Sequence, residues 1–400
     1  MPMSDHRIQF PGLQGRVYLN YGGQGPLSET TLRAIADGYR QVELLGSYSH
    51  AGNAWVQQEL HAAKQTLGEQ LGVSPATLTL AENTTVGCNI ALWGIDWRPG
   101  DRLLLSAWEH PGIVAIAQVL QRRFGIAIDV LPLRPDAPPA EILADLAAQC
   151  RDTTRALALS HVAWNTGDVL PLAEMAAFCR SRGIRTVVDG AQSAGVLPLD
   201  LAALGADAYA FTGHKWWLGP QGTGVLYLRQ PLQPTYVGWR GLDGGHLAEG
   251  QPQVAWHQDG SVFEVATSAY PLLAAWRSAI AEVNTWDTPY ARYQRLCALA
   301  ENLRQRLAQI PGVTPIKQQP LATGLVCFTV AGHNPSAVAR HLETAQQICI
   351  RAIPDPLCLR ASVHYLTTEA DLAALVKAIA ALVEKTPVPP ALVPGNQAST

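Results

Sequence analysis

The sequence predicts an α/β protein: a large sheet-based domain followed by a smaller α+β domain. Three observations carry this. Short apolar runs such as Asp101-Arg-Leu-Leu-Leu-Ser106 alternate with helix-length amphipathic stretches, the pattern of a buried, mostly parallel sheet. The run Ile184-Arg-Thr-Val-Val-Asp189 ends in a carboxylate, at the strand end where open α/β sheets bind ligands. With 400 residues, 48% of them apolar, the chain is long enough for a large core and for two domains. The expected divisions are an N-terminal arm over 1–30 that joins the small domain, a large domain over 31–270, a connecting helix over 271–310, a small domain over 311–385 and a disordered tail over 386–400.

Composition excludes several classes. A net charge of −3 makes no electrostatic case for nucleic acid or an anionic membrane surface. No run approaches the ~18 apolar residues of a membrane helix, and Met1 to Phe10 lacks a signal-type apolar core. The seven cysteines are scattered, with no Cys-x-x-Cys. That pattern fits reduced thiols in a cytoplasmic protein, without a disulfide framework or a metal site.

In chain order, Arg16-Val-Tyr-Leu-Asn-Tyr-Gly-Gly-Gln-Gly-Pro-Leu27 reads as a short strand and a glycine-rich turn. Helices are expected from about Thr30 to Leu45 and from Asn53 to Leu71. A strand ends at Leu80, and Asn83-Thr84-Thr85 opens a helix whose free amides and hydroxyls suit a phosphate or an ordinary N-cap. The Asp101–Ser106 strand runs into Trp108-Glu-His-Pro-Gly-Ile-Val114, where His110 on its own reads as a loop histidine. Prolines at 132, 135, 138 and 139 mark a surface connection before a helix that ends at Cys150. Arg155 to Val162 is the next strand and leads into Ala163-Trp-Asn-Thr-Gly167.

Beyond Asp189, strands at Tyr209–Phe211 and Gly222–Leu228 flank a turn that holds Thr212, Gly213, His214 and Lys215. Trp216 and Trp217 want burial. Lys215 is therefore either desolvated, with the lowered pKa of a Schiff-base lysine, or a snorkelling lysine on an apolar turn. Tyr236 to His246 reads as a glycine-rich loop. A helix from Pro271 to Leu307 is expected to break near Asp287-Thr-Pro289. The small domain shows strands at Leu325–Val330, Ile348–Ile353 and Leu357–Tyr365, with helices at Pro335–Gln346 and from Thr368 to Lys385.

Asp189 and Lys215 lie 215 − 189 = 26 residues apart, room for a helix and a return strand. Such a pair can hold opposite ends of one flat cofactor, the acid at a pyridinium nitrogen and the lysine at an aldehyde. Asp189-Gly-Ala-Gln192 resembles the Asp-x-Ala-Gln/His motif of the class V aminotransferases, and Thr212-Gly-His-Lys215 resembles their Ser/Thr-x-His-Lys. The resemblance covers about residues 17 to 384. It implies the fold-type I architecture, a mainly parallel seven-stranded sheet, pyridoxal 5′-phosphate as cofactor and a homodimer with shared active sites.

The same resemblance implies roles. Lys215 would carry the cofactor and do the proton chemistry. Asp189 would hold the ring nitrogen, Ala191 would pack under the ring, and Gln192 would bond the 3′-hydroxyl. Thr84 and Thr85 would hold the phosphate, although Asn83 stands where the family has glycine; Thr212 and His214 complete the cofactor site. His110 would stack on the pyridine and shuttle protons. Gly23 would line the substrate pocket, and Asn165 would touch the substrate, although a gapless match puts Trp164 at that position. Thr267, in Ser261-Val-Phe-Glu-Val-Ala-Thr-Ser268, would reach the phosphate of the neighbouring subunit's cofactor.

The desulfurases of that family carry Arg-Thr-Gly-x-x-Cys, a stretch, and then Arg-Ala-Ser. Here the chain reads Arg351-Ala-Ile-Pro-Asp-Pro-Leu-Cys-Leu-Arg-Ala-Ser362, without the loop that carries the catalytic cysteine. Cys358 falls inside an apparent strand. Arg360 would hold an α-carboxylate and Arg351 a distal one, as in cystine. With no thiol to strip sulfur, the remaining route is α,β-elimination to pyruvate and ammonia, and the arrangement resembles the cyanobacterial-type cysteine/cystine C–S lyases. A desulfurase, epimerase or transaminase is the alternative, and a sulfur or iron–sulfur acceptor is a possible partner. Intact Asp189, Gln192, His214 and Lys215 argue against a non-enzymatic scaffold.

Overall fold

A computed structural model describes residues 6–248 and 251–385; the expected tail lies outside them. Seven strands form the main sheet: β1 (Leu78–Ala81), β2 (Arg102–Ser106), β3 (Ala127–Leu131), β4 (Thr154–Ser160), β5 (Arg185–Asp189), β6 (Ala208–Thr212) and β7 (Gly224–Leu228). Their spatial order is β1-β7-β6-β5-β4-β2-β3. From β6 to β3 every pairing is parallel, and β7 runs antiparallel to both its neighbours.

Both faces of this sheet are covered. Leu103, Leu105, Ala156, Ala158, Val187 and Ala210 join one buried cluster, while Leu104, Leu157, Val188, Tyr209 and Phe211 join the other. The period-two alternation sends neighbouring residues to opposite cores, so these strands read in sequence as unbroken apolar runs.

The covering helices are α1 (Glu29–Leu45), α2 (His50–Leu71), α3 (Thr84–Trp93), α4 (Pro111–Phe124), α5 (Pro139–Gln149) and α6 (Leu172–Ser181). Ser28, Ser49 and Asn83 cap the first three with side-chain oxygens. Helix α3 comes close to the sheet because Gly87 has no side chain: a Cβ there would stand 2.8 Å from the Cβ of Ala210. That approach fixes the start of α3 above the carboxyl ends of the strands.

The connecting helix breaks where expected. Helix α7 (Pro271–Asn284) stops, and α8 (Pro289–Ala308) restarts behind Thr288, whose hydroxyl accepts the Ala291 N–H. A second sheet follows, built from β8 (Val313–Pro315), β9 (Leu325–Val330), β10 (Arg351–Pro354) and β11 (Leu357–Ser362) in the order β8-β9-β11-β10. It is antiparallel throughout. Helices α9 (Pro335–Gln346) and α10 (Glu369–Lys385) complete this part of the chain.

Two local expectations change. Ile348 to Ile353 is not one strand: Ile348-Cys349 pairs in parallel with Val17-Tyr18, while Arg351–Pro354 pairs with β11. The ladder changes partner at Ile350, and the first half binds the N-terminal segment to the small sheet. The glycine-rich stretch after Trp239 is also more ordered than its composition suggests. Leu242–Ala248 and Gln251–Trp256 pair as an antiparallel hairpin, a backbone ladder that needs no apolar alternation. Among the described residues no helix is long and apolar enough to cross a membrane.

Gly87→Ala should destabilise the fold by about 1–3 kcal/mol by overpacking against Ala210. Ala210→Gly should recover part of the loss in the double variant. Denaturant titration checks both, and an unperturbed midpoint in the single variant would remove the close-approach argument.

Candidate active site

The carboxyl ends of β2, β4, β5 and β6 converge with the start of α3 on a cavity of about 550 Å³. Lys215 lies on its floor with Asp189, the acid at the end of β5 and the lysine in the turn three residues beyond the end of β6. The two groups are near enough to influence one another. Burial pushes the Lys215 amine down to about 8, opposed by the Asp189 charge and reinforced by Arg360 and Arg351. Burial raises the Asp189 carboxyl, opposed first by Lys215 and then by a 2.9 Å bond from the Ala191 N–H.

At the opposite wall, Asn83 caps α3 by accepting the Val86 N–H at 3.0 Å. Helix geometry leaves the N–H groups of Thr84 and Thr85 without intrahelical partners, and the buried Thr84 hydroxyl has none at all. An orphaned hydroxyl beside a helix N-terminus fits an anionic group such as phosphate. His214 completes this side. Thr212 Oγ1 donates to the Thr223 carbonyl at 3.1 Å and so accepts from His214 Nδ1–H at 2.5 Å. Burial lowers His214 to about 4, which keeps the ring neutral.

His110 sits at the cavity mouth as the N-cap of α4. Its Nδ1 accepts the Gly112 N–H at 3.1 Å, so the neutral ring carries its proton on Nε2. Burial lowers its pKa, partly offset by Asp189. The ring stands edge-on to Trp164 at 5.7 Å. Gly23, Ala191, Gln192 and Arg351 also line the cavity. Gln192 is held from both ends of its amide: its Nε2 donates to the Gly22 carbonyl at 2.9 Å, and its Oε1 accepts from the Trp216 indole at 2.9 Å. Only one amide N–H remains for anything in the cavity.

Three expected residues do not line the cavity. Asn165 is buried and turned away, its Nδ2 donating to the Asp355 carbonyl at 2.8 Å; Trp164 takes the lining position. Arg360 is fully buried beside the cavity, opposite Arg351 across the β10–β11 ladder and near enough for its charge to lower the Lys215 amine. Its Nη1 donates to the Trp164 carbonyl at 2.7 Å, while Nε and Nη2 have no partner. Thr267 lies in a separate cleft with Tyr236 and Arg240, bonded to the Tyr48 hydroxyl.

The family model for class V aminotransferases matches residues 17–375. The chain belongs to the class V aminotransferases. As a member, it has pyridoxal phosphate for its cofactor, and the lysine, carboxylate and orphaned helix start of the cavity fit that molecule's aldehyde, ring nitrogen and phosphate. The chain is 32% identical over 386 residues to the isopenicillin N epimerase of Streptomyces clavuligerus, covering 92% of this chain and 94% of the relative. It is 30% identical over 363 residues to a cysteine desulfurase of Salmonella agona, covering 86% of each. Among solved structures, a complex of the cystine C–S lyase C-DES with its reaction product cysteine persulfide is similar at 43% identity and a TM-score of 0.88, covering 93% of this chain and 99% of that one.

One buried residue of this class V site was absent from the sequence reading. Glu109, just before His110, accepts from Ser106 Oγ at 2.5 Å and from the Ser160 N–H at 2.7 Å on Oε1, and from Ser160 Oγ at 3.1 Å on Oε2. It joins the ends of β2 and β4 beneath the cavity. Ser160 is also the strand partner of Asp189. The one available signal was an acid directly before a candidate site histidine, which says nothing by itself about burial. Burial raises the Glu109 carboxyl from 4.5 to about 8, helped by the nearby Asp189 charge.

A carboxyl with a raised folded-state pKa stabilises the fold at low pH, and that contribution is lost as pH rises through the folded value. Glu109→Gln cannot ionise. Its melting temperature should therefore gain on the parent protein from about pH 5 to about pH 9. A gap that stays constant across that range would show that Glu109 is ionised throughout.

Proposed function

We propose that this protein is a carbon–sulfur lyase that eliminates the β-sulfur of L-cystine or an L-cysteine-type substrate, giving pyruvate, ammonia and a persulfide or sulfide. The carrying observation concerns thiols. Among the described residues no cysteine lines the cavity that holds Lys215 and Arg351. Cys358, two residues from Arg360, is fully buried in a small cluster with Cys327 and Ile353. A desulfurase needs a thiol at the substrate sulfur; this site offers none. The cystine C–S lyase among the similar structures supports the same reading.

Bound pyridoxal phosphate supplies an electron sink that makes the substrate Cα proton acidic. The chain's residues do the rest. Lys215, with its pKa near 8, is in part neutral near neutral pH and takes the Cα proton on Nζ. The Cβ–S bond then breaks, and the sulfur leaves with the bonding pair. Water completes the conversion of the released aminoacrylate to pyruvate and ammonia. Asp189 would hold the cofactor's ring nitrogen; burial alone favours the neutral carboxyl, and a cationic partner at that position would favour the anion. Thr84, Thr85 and His214 hold the phosphate end. Arg360 holds the α-carboxylate with its unpartnered Nε and Nη2, and Arg351 holds a distal carboxylate.

Thr267 takes part only if a second copy presents it to the phosphate, so we place the active protein as a homodimer. Sedimentation should then give a dimer; a fully active monomer of 43.0 kDa would exclude it.

The reaction is tested with purified holoenzyme and L-cystine. Pyruvate should form at the rate of substrate loss, and Cys358→Ser should leave that rate within about twofold, since a buried small thiol is replaced by a near-isostere. Lys215→Ala should abolish turnover, and Asp189→Asn should slow it severely while keeping the fold. Arg360→Ala should cost roughly 2–4 kcal/mol in kcat/KM. Alanine as product would make the enzyme a desulfurase, and recovery of substrate inverted at Cα would make it an epimerase.

A further inference from the structure

We propose that Asn165 is a positioning residue that sets the reach of Arg351, and with it the preference for substrates that carry a second carboxylate. The inference rests on the lyase reading for its substrate and on geometry alone for the contact.

Arg351 begins β10, the edge strand of the small sheet, which is hydrogen-bonded on one side only, to β11. The two strands meet in a tight turn at Asp355-Pro356, with Pro354 and Leu357 as the last pair. Among the described residues, the bond from Asn165 Nδ2 to the Asp355 carbonyl is the turn's one hydrogen bond to the large sheet's side of the molecule. A side chain that is 4% exposed makes it, from a loop that is itself closed. The Ala163 N–H donates to the Asp168 carbonyl, and the Gly167 N–H donates to the Ala163 carbonyl, both at 2.9 Å.

The same loop grips the small sheet at other points. The Trp164 carbonyl accepts from Arg360, the Gly167 carbonyl accepts from Thr323, and Asp168 pairs with Lys317. Arg360 is thus fixed by the residue immediately before Asn165. Trp164 and Asn165 together hold the two strands that carry the two arginines, one by its carbonyl and the other by its amide. The β10–β11 ladder sets Arg351 opposite Arg360, and this two-residue step anchors that ladder to the 163–168 loop at both ends, at Arg360 and at the turn. Removing the Asn165 donor leaves the Arg360 anchor in place and loosens the turn end of the edge strand that carries Arg351.

The test uses Asn165→Ala and Asn165→Asp, the second keeping the shape without the N–H. In holoenzyme, amide hydrogen exchange over residues 351–357 should accelerate about fivefold or more, the equivalent of one neutral hydrogen bond. Exchange over β5 should stay as in the parent. For catalysis, KM for cystine should rise by about the same factor with little change in kcat, whereas S-methylcysteine, with one carboxylate, should keep its KM within about twofold. Unchanged exchange in both variants would overturn the latch. Equal KM rises for both substrates would overturn its link to the second carboxylate. If the parent enzyme makes no pyruvate from cystine, the lyase reading fails, and the exchange measurement still decides whether Asn165 holds the hairpin.

Discussion

The position of the Lys215 amine depends on its neighbour Trp216. That side chain is 1% exposed, and its indole N–H donates to Gln192, whose own amide donates to the Gly22 carbonyl. The Trp216 carbonyl accepts from His364 Nε2 at 3.4 Å. His364 Nδ1 accepts the Leu366 N–H, so the ring has one tautomer available, and full burial lowers it to about 3. The ring stacks on Tyr21 at 4.4 Å. One tryptophan thus joins the N-terminal segment, the loop after β5, the lysine turn and the small sheet. A second bond, from the Gly25 N–H to the His214 carbonyl at 2.7 Å, holds the turn from its other side. Because the Trp216 indole, the Gln192 amide and the His364 ring are buried and hydrogen-bonded, moving the lysine would leave several of these groups unsatisfied.

The charges around that amine are balanced against burial. Lys215 is pushed down, while Asp189 and Glu109 are pushed up, and desolvation is the leading cause for all three. Two acids in one low-dielectric floor cannot both ionise cheaply. Glu109 lies behind the strand ends, where burial and the Asp189 charge keep it neutral although the three hydrogen bonds it accepts favour the anion. Asp189 accepts one from protein and faces the cavity. A molecule with a cationic nitrogen at one end and a phosphate at the other meets both unmet demands, the acid on β5 and the open start of α3. The fold holds these groups in place before the cofactor arrives, which is the physical content of preorganisation.

How much of this was legible depended on whether a residue's role was set by its own strand or by a neighbour. Asp189 could be read because it closes an apolar run, and strand ends in such sheets are where ligands lie; Lys215 could be read because it stands in a turn between two strands, followed by two tryptophans. Thr84 and Thr85 could be read from a cap pattern. Gln192 was placed in the cavity from its motif, but its bond to Trp216 joins residues 24 apart, and no local pattern reports that. Glu109 was missed for the same reason: its partners lie on two strands, one of them about fifty residues away. Asn165 and Trp164 show a sharper limit. In a closed loop, a one-residue shift exchanges the side chain that faces the cavity for the one that faces the small sheet, and spacing alone cannot choose between them. In the 242–256 hairpin the glycines concealed a strand, because the ladder there is made by backbone groups.

The β10–β11 hairpin links substrate recognition to the kind of chemistry available. Its ten residues from Arg351 to Arg360 are almost fully committed: four register pairs use eight of them, and Asp355-Pro356 makes the turn. No slack remains to carry a thiol outward. Cys358 shares the pleat face of Arg360, but its sulfur packs against Cys327, which is the leading cause of its lowered pKa. Bringing that sulfur to a substrate in the cavity would require unzipping the ladder, and the ladder is what places Arg351 opposite Arg360. The contacts that place the two arginines are therefore the contacts that keep the Cys358 thiol inside the sheet. On the proposed lyase reading, recognition of a dicarboxylic substrate and sulfur transfer to Cys358 would therefore exclude one another.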